Sequence, residues 1–399
     1  MYNLLKEKLR QYWPRGTKNT HFNNYVQCLA RQSCFFDPII FSLESPKFHQ
    51  FKIYGTNLFE GWAFFFGPKV VEKLNVYFDA RIVGSVPVNI IREDVSVHVP
   101  SILAAKNCGF SIKLNCPGDV KTISFETVFS DGEIEPFFDY DVAYIIENQD
   151  EIDNWSKRLN NLNMPDKETV FLTQGHYNVE EYRNSILPAV MNIRDYLSKS
   201  GVNINDFRDI LDFGCGSGRI LKGWHCVRPE LDLHGCDYNQ ALIDWNKDNL
   251  PENISVLKNR LNPPLTYPDN SFNLICMVSV FTHLTLGSQK SWIEEFERIL
   301  RPGGILLVTL QGEFYVRNVF YDYPEMIQDF FDAGYATTDT GSAEGGNQFG
   351  AFHAYSFVID LFKGFDLIGF FPQGNLSDKR KIFQIALAQD VYVLRYRRK

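Results

Sequence analysis

The 399-residue sequence predicts an α/β protein, with a doubly wound parallel sheet in its second half and a small β-sandwich before it. Three observations carry this expectation. Residues 210–219 read Ile-Leu-Asp-Phe-Gly-Cys-Gly-Ser-Gly-Arg, a short apolar strand that turns on glycines into a helix. Beyond about residue 200 and up to about 310, strand-like and helical patterns alternate, as in a sheet covered on both faces. From about residue 46 to 147, short period-two runs recur roughly every 10 residues with Gly and Pro between them, as in a sandwich.

Length and composition set the bounds. A chain of this size fits two domains. Its 45% hydrophobic and 22% charged content is ordinary for a globular protein, while 34 Phe and 19 Tyr suggest thick cores or an aromatic-lined cleft. A formal net charge of −8 argues against a nucleic-acid partner, whose binders carry a basic footprint. Arg395, Arg397, Arg398 and Lys399 read as a solvated tail. The eight cysteines include no Cys-x-x-Cys pair and no zinc spacing, so no metal is expected. Cys215, Cys236 and Cys276 fall in or beside core strands, as small buried hydrophobes of a reducing compartment do. Residues 1–15 lack an apolar signal core, and no run reaches the roughly 18 apolar residues of a membrane span. The expectation is a cytoplasmic protein.

Taken in order, residues 1–45 form an extension with a short amphipathic piece (Leu4, Leu5, Leu9, Tyr12) and an aromatic stretch around Phe35, Phe36 and Phe41. In the β region, 46–147, Leu74, Val76 and Phe78 share one face of a strand and residues 79–81 look like a hairpin tip. Ile123, Phe125, Thr127 and Phe129 alternate likewise, followed by an Asp131-Gly132 turn. The polar residues 148–164 read as a linker. A helix is expected over 180–200, with Pro188 limiting its first turn. Strands follow at 210–213, 231–237, 254–258, 272–284 and 305–310, with a helix over 292–301 stopped by Pro302 and Gly303.

The glycine turn selects a ligand. A dinucleotide fingerprint needs glycines at the first, third and sixth places, but here Gly214, Gly216 and Gly218 leave Arg219 in the sixth. An acid, Asp212, stands two residues before the first glycine. S-adenosylmethionine (SAM) ends in an ammonium and a carboxylate instead of a pyrophosphate, and one acid plus close backbone amides suits it. The segment resembles motif I of class I SAM-dependent methyltransferases. This resemblance spans about residues 165–399 and implies a Rossmann-like, seven-stranded sheet with SAM as cofactor. It places Gly214, Cys215, Gly216 and Gly218 against the cofactor.

The next expected strand ends on Asp237, 23 residues after Gly214. A carboxylate there can accept both ribose hydroxyls, or cap the helix starting near Asn239. The resemblance assigns it the ribose and sets Tyr238 beside the adenine. It also implies Asn259, with Arg260 following, at the adenine amino group, backbone around Val278 at the cofactor amine, and Gln174 and Gly175 in a loop over the cofactor. The Arg-Pro-Gly-Gly run at 301–304 and the Gln389-Asp390 start of a last strand also match family members. Separately, the region from Gly61 to Phe110 looks like a small immunoglobulin-like (Ig-like) domain found beside some bacterial methyltransferases and glycosyltransferases.

Methyl transfer is an in-line displacement, so the protein mainly aligns the reactants and excludes water. A hydroxyl acceptor needs a proton sink, and an imidazole is the economical one. His283, at the end of the fourth strand, and His353, in the insertion at about 312–356, are the candidate bases; His176 reads as structural. The aromatic and glycine-rich insertion suits a lid over a small organic or glycan acceptor. The expected function is O-methylation of a small-molecule or sugar-containing acceptor. N-methylation and a non-catalytic SAM-fold binding protein are the alternatives. The sugar enters through the neighbouring domain's associations alone. The acceptor's identity and the oligomeric state are not legible.

Overall fold

The computed structural model describes residues 39–65, 69–97, 103–319, 324–338, 344–346, 349–376 and 389–397. The amphipathic piece near the start, Phe35, Phe36, Arg398 and Lys399 lie outside the described residues. The described residues fall into two compact units, divided between Lys157 and Arg158.

The first unit holds two antiparallel sheets. One contains β1 (Ile39–Ser45), β2 (Gly55–Phe65) and β5 (Gly109–Cys116), in the order β1-β2-β5. The other contains β3 (Val71–Phe78), β4 (Arg81–Pro87), β6 (Thr122–Phe129) and β7 (Ile134–Asp141), in the order β4-β3-β6-β7. Leu74, Val76, Phe78, Ile123, Phe125 and Phe129 are buried as the period-two pattern requires. Aromatic rings join the sheets: Phe59 of β2 lies 5.6 Å from Phe125 of β6 and 5.4 Å from Tyr140 of β7. The turn at Asp79-Ala80 links β3 to β4, with Asp79 in the left-handed region at φ 52°.

Residues 149–160, read from composition as linker, form a helix, Gln149–Asn160. Ile152, Trp155 and Leu159 recur at helical spacing and are buried, so the polar residues between them are one face of that helix.

The second unit is built on a seven-stranded sheet. Its strands are β8 (Asp209–Phe213), β9 (Asp232–Asp237), β10 (Ile254–Lys258), β11 (Phe272–Met277), β12 (Leu300–Leu310), β15 (Phe365–Phe371) and β16 (Asp390–Tyr396). Their order is β10-β9-β8-β11-β12-β16-β15. The first five run parallel, while β16 is antiparallel to both β12 and β15, so the sheet is mixed and not wholly parallel. A two-stranded sheet, β13 (Tyr335–Thr337) with β14 (Ala351–His353), stands apart in the insertion.

Three further elements differ from expectation. The helix Val179–Lys199 carries Pro188 in its interior, not near its start; the buried Ile186, Leu187, Val190 and Met191 beside it offset the roughly 3 kcal/mol an interior proline costs. The helix Leu286–Ile299 ends before Pro302, and Arg301–Gly304 bulge out of β12 instead. Strand β11 stops at Met277, where the sequence pattern continued to Leu284: Ser279 takes φ 58° and Phe281–His283 form a 3₁₀ turn. The core below the cleft packs Phe213 against Trp292 (4.6 Å) and Phe296 (5.0 Å). No described helix is long and apolar enough to cross a membrane.

Candidate active site

Parallel strands with crossover helices bring their carboxyl ends to one edge of the sheet, where the chain must turn and leave space. Here the ends of β8, β9, β10 and β11 surround a cleft of about 360 Å³, a size suited to a small ligand. Its walls include Leu172, Thr173, Phe213, Gly214, Gly216, Asp237, Tyr238, Asn259, Leu261, Val278, Ser279, Val280, His283, Trp292 and Gly345.

The glycine turn forms the floor. Gly214, Gly216 and Gly218 have φ of 73°, 55° and 77°, which only glycine adopts cheaply. A Cβ on Gly214 would stand 2.4 Å from Val280 Cγ2, and one on Gly216 2.7 Å from Thr173 Cγ2. The turn is held from behind: Gly214 N and Cys215 N donate to Cys236 O, and Asn246 Nδ2 donates to Gly216 O at 2.7 Å. Cys215 and Gly218 support the turn without lining the cleft; Gly218 caps the helix Arg219–Val227.

Two acids stand at the carboxyl ends of the neighbouring strands, Asp212 one residue before the end of β8 and Asp237 at the end of β9. Asp212 is buried just beneath the wall residues Phe213 and Gly214, and burial pushes its carboxyl up to about 7; the Arg219 guanidinium opposes this and Asp237 adds to it. Asp237 faces the cleft and accepts Gly216 N at 2.9 Å on one oxygen and Asn239 N at 2.8 Å on the other. Burial raises its pKa, and those amides work against the rise. Each carboxylate oxygen has a second lone pair, so both remain able to accept. The helix Gln240–Asn249 is capped by Asn239, whose side chain takes Ala241 N.

At the far end Tyr238 and Asn259 line the cleft, and Arg260 is exposed beside it. Asn259 Nδ2 donates to Arg260 O, leaving its Oδ1 buried with no partner. That orphaned acceptor suits an exocyclic amino group. Of the loop expected over the cofactor, Leu172 and Thr173 reach the cleft; Gln174 bonds His176 and Gly175 ends the helix Lys167–Gln174. Over the top, Gly345 N donates to His283 O at 2.8 Å and Tyr238 Oη donates to Gly345 O at 2.7 Å.

The two candidate bases part company. His283 lines the cleft and its Nδ1 lies 2.9 Å from Phe349 O, so Nδ1 carries the hydrogen and Nε2 keeps its lone pair. Burial lowers its pKa, partly countered by that carbonyl. His353 does not line the cleft. It is fully buried in β14, with Nε2 2.9 Å from Gln289 Oε1 and its ring 5.2 Å from Tyr335. Gln289 gives its amide hydrogens to Phe281 O and Leu284 O, so His353 must donate. Burial drives its pKa down to about 3, and the base expected in the insertion is thus a neutral packing residue.

The resemblance brought in the backbone around Val278, which includes Ser279, but not the bonds that hold Ser279 in place. Its N–H donates to Thr309 Oγ1 at 2.8 Å and its Oγ accepts from Gln389 Nε2 at 2.9 Å, while Thr309 donates to Gln389 Oε1 at 2.6 Å. A serine in a strand-like run carried no signal of this; the Gln389-Asp390 pair was the one visible trace. Among the described residues no group of three or more His, Cys, Asp or Glu is arranged to hold a metal.

Comparison with known proteins agrees with this geometry. Residues 211–308 match the family described as "Methyltransferase domain". A ubiquinone/menaquinone biosynthesis C-methyltransferase of Neisseria meningitidis is 29% identical over 109 residues, 27% of this chain and 44% of that protein. A tRNA (carboxymethyluridine(34)-5-O)-methyltransferase of Arabidopsis thaliana is 32% identical over 102 residues, 25% of this chain and 23% of that protein. A solved SAM-dependent methyltransferase from Methanosarcina mazei covers 52% of this chain and 97% of its own, with 17% identity and a TM-score of 0.38. The chain spans less than half the length of these two sequence relatives. The matched stretch, residues 211–308, lies in the second unit and runs from β8 to β12. The cofactor is S-adenosylmethionine.

Proposed function

We propose that the chain is a SAM-dependent methyltransferase that methylates an oxygen of a small-molecule or sugar-containing acceptor. The carrying observation is His283: an imidazole on the cleft wall whose Nδ1 hydrogen is committed to Phe349 O, leaving Nε2 as a basic nitrogen beside the reacting space. The bound cofactor supplies an electrophilic methyl on sulfonium. Asp237 takes the ribose hydroxyls, Asn259 Oδ1 the adenine amino group, and Tyr238 and Leu242 flank the base. Asp212 favours the ammonium from beneath, and the Gly214–Gly218 turn brings backbone amides close. Cys215, Arg260, Gln174 and Gly175 support this set without lining the cleft. The 344–346 segment over His283 excludes water, and His283 Nε2 receives the acceptor's proton.

The domain boundaries in this reading move at one place: β1 (Ile39–Ser45) pairs with β2, so the Ig-like domain takes in the end of the expected 1–45 extension as well as 46–147, with a connection over 148–164 that includes the helix Gln149–Asn160 and the catalytic domain over 165–399. The order β1-β2-β5 against β4-β3-β6-β7 supports an Ig-like sandwich. A second reading, methylation of RNA, is favoured by the tRNA methyltransferases among the relatives, in Arabidopsis thaliana and Drosophila melanogaster. The net charge of −8 weighs against it.

The test combines calorimetry with SAM and S-adenosylhomocysteine and transfer of labelled methyl to phenols, glycosides, amines and bulk tRNA. Label on an oxygen of a small acceptor is the expected result. His283→Ala should then lose roughly 10²–10⁴ in kcat with SAM affinity retained, and the wild-type rate should climb to a plateau through a pKa below 6.5. Label on tRNA alone would overturn the small-molecule acceptor; no binding of either nucleoside would overturn the methyltransferase itself.

A further inference from the structure

A lysine lies wholly buried behind the cofactor turn, and nothing in the reaction uses it. Lys222 is inaccessible to solvent and forms no ion pair among the described residues. Its Nζ donates to Ser217 O at 2.6 Å and lies 3.4 Å from Tyr182 Oη. The ammonium also sits 4.3 Å above the Trp245 ring and 5.5 Å from that of Tyr182. Around it Tyr182 Oη donates to the same carbonyl at 3.1 Å and accepts from Ser217 Oγ at 3.0 Å, and Ser217 Oγ is 3.4 Å from Thr173 Oγ1. Thr173 lines the cleft.

Burying a lysine amine without a carboxylate is costly, as the fall of its pKa to about 7 on burial reflects, and an aliphatic side chain would fill this space more cheaply. The compensation must lie in what the group holds. Ser217 stands inside the glycine turn, between Gly216 and Gly218, where backbone freedom is greatest. The two carbonyls at its centre, Gly216 O and Ser217 O, are both drawn inward, one by Asn246 Nδ2 and the other by Lys222 Nζ. In a trans peptide the N–H opposes the C=O, so fixing Gly216 O aims Ser217 N–H the other way. Clamping the next carbonyl keeps that orientation.

We propose that Lys222 is a positioning residue of the cofactor site: it pins Ser217 O so that the glycine turn is pre-shaped to receive SAM. The assignment rests on the SAM site described above. A helix-face lysine amid Ile220, Leu221, Trp224 and Cys226 was the sequence signal for it.

The decisive variant is Lys222→Met in the full chain, an unbranched apolar replacement of similar length. A residue that merely held the fold together would lower Tm and affinity together. The proposal expects them to separate: Tm equal to or above wild type, SAM and S-adenosylhomocysteine Kd raised at least tenfold, and faster hydrogen exchange at residues 215–218. Tyr182→Phe, which removes one hydroxyl from the same carbonyl, should raise both Kd values about threefold, and it stands in if the first variant fails to fold. Wild-type affinity in whichever variant folds would overturn the role of Lys222. Failure of the wild type to bind SAM would instead remove the site on which it depends.

Discussion

At the scale of single residues, the site is organised by side chains kept in unfavourable states. Asp212 is the clearest. Its folded pKa of about 7 lies above the ordinary 3.8, so its favourable contribution is full at low pH and is lost as pH rises through 7. A neutral isostere escapes that penalty. Asp212→Asn should therefore raise Tm at pH 8 while weakening SAM binding about tenfold. Wild-type affinity for SAM should fall as pH drops below 7, because protonation removes the charge that favours the ammonium. Calorimetry across pH 6–8 checks both; a destabilised Asp212→Asn, or a flat affinity profile, would contradict the account. His353 presents the opposite sign. Its pKa falls from 6.5 to about 3, so the unfolded chain takes up a proton that the folded chain refuses, and stability is lost as pH falls below 6.5. His353→Gln should be the less stable protein at pH 7.5. The gap should then close by about 1.4 kcal/mol per pH unit below 6.5, as followed by chemical denaturation; a gap independent of pH would argue that the imidazole is not neutral in the fold.

At the scale of elements, what the sequence disclosed depended on how local the cause was. β10 has the expected bounds, and β8 and β9 match to within a residue, because an apolar run ended by glycine or an acid is a local signal. The end of β11 was illegible, since the turn at Ser279 is set by Thr309 and by Gln389, 110 residues away. His353 was misplaced for a similar reason: its partner Gln289 lies 64 residues upstream, on a helix whose packing no local pattern announces. The helix Gln149–Asn160 was a different failure, for Ile152, Trp155 and Leu159 carried the period and composition hid it. The Ser279 turn yields its own prediction. Thr309→Val is nearly isosteric but removes the acceptor for Ser279 N–H and the donor to Gln389. It should cost about 1–3 kcal/mol and raise SAM Kd severalfold as the Val278–Val280 wall relaxes. Unchanged Tm and Kd would show that the turn holds without this bond.

At the scale of the whole molecule, the two units divide their labour by fold type: an all-antiparallel pair of sheets, and a mixed sheet whose carboxyl edge opens into a cleft. The second was more legible than the first, because a strand–glycine–helix junction is tied to one edge of a parallel sheet, whereas alternation fixes strands without fixing their order. The order of the seven-stranded sheet has a further consequence. β16 is translated after β15 yet lies between it and β12. Until it emerges from the ribosome, β12 has a bare hydrogen-bonding margin and β15 has no neighbour in the sheet. Gln389, just before that late strand, is likewise missing as the support of Ser279 on the wall of the cleft. A nascent chain stalled short of residue 389 would thus hold an adhesive, half-built sheet and a loosened pocket, and its need for chaperones should be greatest then.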